Sequence, residues 1–156
     1  MNTLMQKELE LIYYVRTSIL KLTEGLSVVQ MNHIPDKMNN NLIWNIGHLV
    51  FTQQMLCYYL GGLTPTIDLN YFAEFAPDTL PEKIYEEKDI QFIKETFLSA
   101  FEQLSTDIKS KNLTGYVGWS LPTGIRINNI NDAMATNLVH EGRHFGVAIS
   151  LAKQVA

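Results

Sequence analysis

Apolar residues recur at three- and four-residue steps in four separate stretches of the chain. Met5, Leu9, Ile12, Ile19, Leu22 and Leu26 form the first stripe, and Glu8, Glu10, Arg16 and Lys21 fall between them. That spacing gives a helix one apolar face and predicts a helix over residues 3–24. A second helix opens at Asn40 or Asn41, whose side chains can cap free backbone N–H groups. It carries Ile43, Ile46, Leu49, Val50, Leu56 and Leu60 on its core face and stops at Gly61-Gly62. Ile90, Ile93, Phe97, Phe101, Leu104 and Ile108 predict a third helix over residues 86–110. The fourth starts near Asn131, with Asp132 favourably placed against the helix dipole, and runs close to the C-terminus.

The connections differ in length. Residues 32–37, with Pro35, read as a short link. Residues 61–85 form a long one, punctuated by Pro65, Pro77 and Pro81 and decorated by Tyr71, Phe72 and Phe75. Loops of that length are uncommon unless they cover something, so this one is expected to pack over an end or side of the helices. Residues 111–130 hold Gly115, Gly118, Pro122 and Gly124 with Tyr116 and Trp119, and leave room for a short β-hairpin. Four amphipathic helices without convincing strands imply an all-α four-helix bundle, with long connections between helices two and three and helices three and four. The first of these connections permits its two helices to run parallel.

Composition narrows the class. A chain of 156 residues, 46% hydrophobic, suits one domain over residues 1–156 and needs no disulfide to fold. Its net charge of −4 makes it a poor generic nucleic-acid binder, because phosphate affinity rests on clustered cations. The single cysteine, Cys57, forms no internal disulfide, and nine residues beyond His48 it faces the opposite side of its helix. Charges at Lys7, Glu8, Glu10 and Arg16 break the N-terminal apolar pattern, and the uncharged stretch 38–67 is dotted with Asn, Gln, Gly and His. Neither reads as a leader or a membrane span, so a cytoplasmic protein without a membrane partner is expected.

The chemistry lies in the histidines. His140 and His144 are four apart in the fourth helix, so their rings lie one turn apart on one face and can chelate one transition metal ion. His48, midway along the second helix, can reach the same point across a bundle. On a helical wheel, Asp132, Thr136, Arg143 and Ser150 share one side, whereas Asn137 and Glu141 fall on the inward arc with Leu138, Phe145, Ala148 and Ile149. Burying imidazoles, an amide and a carboxylate is costly without partners. A shared metal satisfies them; so does a hydrogen-bonded polar core network. Three neutral imidazoles leave one or two open positions on the ion, the arrangement of a catalytic site rather than a closed structural one. The stretch from His140 to His144 also fits the HExxH string of zinc proteases, but no Glu, Asp or His follows to supply a third ligand and no strand-rich subdomain precedes it.

The stretches NNNLIWNIGHLVF around His48, LPTGIRINNINDAM, and LVHEGRHFGVAISL around His140 and His144 resemble the DinB/YfiT-like superfamily of metalloenzymes. The resemblance covers nearly the whole chain in helix order and loop length. It implies a four-helix bundle of up-down-down-up topology, with His48, His140 and His144 holding one divalent transition metal, nickel or zinc. Relatives include enzymes that transfer small thiol cofactors to electrophiles, which implies a small-molecule substrate and a thiol cofactor as partners, and a homodimer. The chain departs from the family at Val147, where relatives often carry Gln.

Other residues take roles around this centre. Glu141 can serve as a general base, orient an imidazole, or pair with a cation. Asn45 and Thr52 share the face of His48, and Asn137 lies three before His140, so all three can hydrogen-bond a ligand or close a polar pocket. Trp44 is expected to fill the core. Tyr58, Tyr71, Tyr85, Tyr116 and Trp119 either line a pocket mouth or pack beside the loops, and His33 is structural or solvated. Two functions stay open: a metal-dependent hydrolase or thiol transferase acting on a small molecule, and a non-catalytic metal- or ligand-binding stress-response module.

Overall fold

In the computed structural model, which describes residues 3–110 and 113–155, the apolar stripes become four long helices and two short ones. These are α1 (Thr3–Leu22), α2 (Val28–Asn32), α3 (Leu42–Cys57), α4 (Leu69–Phe72), α5 (Glu87–Ser110) and α6 (Ile130–Val155). A two-stranded antiparallel hairpin, β1 (Trp119–Ser120) and β2 (Arg126–Ile127), occupies the loop before α6, pairing Trp119 with Ile127 and Ser120 with Arg126. Residues 111 and 112 of that loop lie outside the described residues. The fold is all-α apart from this ribbon.

Helix α3 is the centre of the molecule. It packs on α5 and α6, while α1 packs on α6 and on α5. Nearly every α3 side chain is buried, Asn45, His48, Thr52, Gln53 and Gln54 included. Asn41 starts the helix: its Oδ1 accepts from the Trp44 N–H and its Nδ2 donates to the Asn32 carbonyl. Two apolar clusters fill the bundle. One joins Met5, Leu9 and Ile12 to Leu56, Phe101, Leu104 and Met134. The other joins Val15 and Ile19 to Leu42, Ile43, Ile46, Ile90, Ile93, Ala148 and Leu151, and takes in Phe72 and Phe75 from the long loop. That loop therefore supplies core side chains as well as cover.

Some boundaries differ from the sequence expectation. α1 ends at Leu22, short of residue 24, and Gly25 follows with φ of 76°. α2 lies between the first predicted helix and the expected link, where no element was predicted, and meets that link only at Asn32. Its N-terminus is a capping box, in which the Gln30 N–H donates to Ser27 Oγ and the Ser27 N–H donates to Gln30 Oε1. α3 ends at Cys57 rather than Leu60, because Tyr58 leaves helical backbone; a 3-10 turn (Tyr59–Gly61) then leads to Gly62 in the left-handed region. Tyr116 lies against Gly61 so closely that a Cβ there would stand 2.3 Å from its ring.

Candidate metal centre

His48 from α3 and His140 and His144 from α6 converge between the two helices. Each offers a ring nitrogen, and these atoms all lie within 4.8 Å of one another. The His48 and His140 Nε2 atoms are 3.2 Å apart. The ring centroids are 5.0 Å apart for His48 and His140, 4.7 Å for His48 and His144, and 4.5 Å for His140 and His144.

The outer nitrogens of two rings are tied down. His48 Nδ1 lies 2.7 Å from the Phe75 carbonyl oxygen, which only accepts, so Nδ1 carries the hydrogen and Nε2 keeps its lone pair. Phe75 reaches this position because residue 47 is glycine: a Cβ there would stand 2.5 Å from the Phe75 ring. His144 Nδ1 lies 2.8 Å from Asn45 Oδ1. The amide's orientation is fixed because its Nδ2 donates to the Asn41 carbonyl and to Asn40 Oδ1, both at 2.9 Å. Asn45 Oδ1 must therefore accept, and the His144 Nε2 lone pair is free. His140 Nδ1 is buried without a hydrogen-bond partner. Thr52 Oγ1 stands 3.4 Å from His48 Nε2, and Trp44 stacks on the His48 ring at 4.7 Å and 10°.

Burial keeps these rings neutral. Loss of water pushes His140 down to about 3 and His144 down to about 4, with the neighbouring rings and the Arg143 cation adding to the effect. His48 is lowered too, although its bond to Phe75 opposes the shift. Neutral imidazoles are the ligand-competent form. At a zinc–nitrogen distance of 2.0–2.1 Å, tetrahedral angles put ligand nitrogens about 3.3 Å apart. The 3.2 Å separation of His48 and His140 suits that geometry. The donor set and the tautomers of His48 and His144 fit a divalent ion.

A cavity of about 620 Å³ opens onto the rings. Trp44, Asn39, Asn40, Arg143 and the Pro77–Leu80 segment line it. Trp44 thus forms a wall of the cavity as well as filling core, and its indole N–H donates to Thr79 Oγ1 at 3.1 Å, tying the long loop to α3. The loop aromatics pack instead: Tyr58 and Tyr85 are buried, Tyr116 donates to the Leu56 carbonyl, and Trp119 donates to Tyr116. Val147 is partly buried against the core cluster, and His33 is exposed. Cys57 is buried, lies 4.0 Å from Met134 Sδ, and has its thiol pushed up to about 12 by burial.

Glu141 is fully buried and paired with Arg16, which is equally buried. Arg16 Nε donates to Glu141 Oε1 at 2.9 Å, Nη1 donates to the Phe97 carbonyl, and Nη2 donates to the Leu49 carbonyl at 3.4 Å. Its guanidinium also lies 4.5 Å from the Phe97 ring centroid. Burial raises the Glu141 carboxyl, and Arg16 works against that rise. Asn137 is near enough to favour the charged carboxylate but makes no hydrogen bond of good geometry with it. Arg16 and Glu8, whose charges fall between the apolar positions of the first stripe, are both buried. The signal was available, since Arg16 lies four after Ile12 and three before Ile19 and so falls on the apolar stripe itself.

No helix among the described residues is long and apolar enough to cross a membrane. No curated protein matches the chain. The family model of the DinB superfamily matches residues 11–148, from within α1 to within α6, and so spans all three histidines and the Arg16–Glu141 pair. The chain belongs to the DinB superfamily.

Proposed function

We propose that the chain binds one divalent transition ion, nickel or zinc, through His48, His140 and His144, and acts as a metal-dependent hydrolase or thiol transferase on a small molecule. The observation that carries this reading is the convergence of three neutral imidazoles, two of them oriented from behind by Phe75 and Asn45. An ion held there supplies a Lewis acid that lowers the pKa of a water or thiol at the open position. The chain's own part is to hold the rings, keep them unprotonated, and admit the substrate through the cavity beside Trp44.

The surroundings of Glu141 bear on the reaction class. Glu141 is paired with Arg16 through Oε1 and does not line the cavity, where Asp78 is the one carboxylate. That favours thiol transfer, in which the ion itself generates the nucleophile, over hydrolysis assisted by Glu141 as base. Under this reading Glu141 positions the ligand-bearing stretch of α6, and Thr52 and Asn137 close the polar interior around it. The proposal also carries a single domain, a cytoplasmic location and a homodimer. Exposed Leu4, Leu11 and Tyr14 on α1 give that dimer apolar surface, and sedimentation checks it.

The test screens tag-free, metal-loaded protein for ester hydrolysis and for transfer of small thiols to electrophiles. Turnover that disappears on chelation and returns with one metal supports the enzyme reading. Stoichiometric metal with no turnover in either screen leaves the non-catalytic binding module.

A further inference from the structure

The cavity that reaches the three histidines also holds a cation with no bonded partner among the described residues. Arg143 lines the cavity beside His140 and His144. It is exposed and makes no hydrogen bond or ion pair within the described residues. Asn40, which also lines the cavity, contributes its amide. Its Oδ1 is taken by Asn45 Nδ2, so the Asn40 amide presents N–H donors with no protein acceptor among the described residues. Asp78 is the cavity's one negative charge, and no ion pair joins it to Arg143 among the described residues. Three neutral imidazoles do nothing to cancel the charge of a divalent ion. An ion bound there would make the site locally positive in a chain whose net charge is −4.

We infer that this cavity takes an anionic small molecule, its carboxylate received by the Arg143 fork and the Asn40 amide while a second donor atom of the same molecule enters the three-histidine centre. Arg143 is then the residue that selects substrates by charge. An arginine with no protein partner breaks no internal bond to meet a ligand, whereas the fully buried Arg16 is already committed to the fold. The inference rests on the metal reading for the place of the second donor atom, but not for the anion contact.

The test uses tag-free protein loaded with cobalt(II), whose absorption spectrum reports thiol ligation. It is titrated with 3-mercaptopropionate and with 3-mercaptopropionamide, which differ in charge and little in shape. Wild type is expected to bind the acid about tenfold more tightly, the scale of one charge-assisted contact. Arg143→Gln should bind the two within about twofold, and Arg143→Lys, which keeps the charge but not the fork, should fall between. Equal affinity in wild type overturns the inference. So does an undiminished preference in Arg143→Gln, which would assign the carboxylate to the metal. If cobalt or thiol fails to bind, the metal reading fails separately. The anion contact is then judged on metal-free protein, where 3-mercaptopropionate must shift the Arg143 and Asn40 side-chain NMR signals. If neither moves, the inference is overturned.

Discussion

From its place on α1, the Arg16 guanidinium reaches a carboxylate on α6 and carbonyls on α3 and α5, so one side chain bonds to all the long helices. Its partners adjoin the proposed ligands in sequence: Leu49 follows His48, and Glu141 follows His140. Breaking a buried pair strands a charge, whereas replacing both members with apolar groups costs little. Arg16→Met should therefore destabilise the fold by about 3–5 kcal/mol, and the Arg16→Met/Glu141→Met double variant should recover most of that loss. Denaturant titration checks this, and additive losses would contradict it. The histidines give a second expectation. Their pKa values, about 3 for His140 and about 4 for His144, lie below the ordinary value of 6.5. Between those limits the unfolded chain binds more protons than the folded one. Metal-free stability is then complete above about pH 6.5 and falls as the pH drops toward 4 and 3. The fall should be shallower in His140→Gln, and equal slopes in both proteins would count against the buried neutral ring.

At the level of elements, Gly47 and the Ala73–Phe75 turn decide how His48 is held. Gly47→Ala places a methyl group 2.5 Å from the Phe75 ring, and the turn must shift to admit it. The carbonyl that fixes the His48 tautomer moves with the turn. We expect about a tenfold loss of metal affinity, with about 1–3 kcal/mol of destabilisation from overpacking. Competition with a chromophoric chelator measures the first, and unchanged affinity would show that the Phe75 bond does not matter. The long helices were legible because their stripes run for many turns. The short α2 was not, although Ser27 and Gln30 have the capping-box spacing, because five residues carry too little periodicity. The end of α3 was obscured because Gly61-Gly62 marks where the following 3-10 turn stops, not the helix. Contacts between the long loop and α3, such as Phe75 with His48 and Thr79 with Trp44, depend on tertiary placement that no local pattern encodes.

Across the whole molecule, the proposed centre joins α3 to α6 through residues 92 positions apart, and the buried ion pair adds α1 to the same region. The His pair on α6 and the inward arc of Asn137 and Glu141 were readable from a helical wheel. The partner of Glu141 was not, because an arginine on an apolar stripe was read by residue type rather than by position. An ion bound only by the folded chain stabilises it by mass action, about 2.7 kcal/mol at a hundred times its dissociation constant. Unfolding midpoints should rise on adding zinc to chelator-stripped protein, with little change for His144→Ala. The most direct measurement is equilibrium dialysis of tag-free protein against zinc, with elemental analysis of wild type and of His48→Ala, His140→Ala and His144→Ala. The account predicts one ion per wild-type chain and a substantial loss in each variant; full metal content in any one of the three would contradict it.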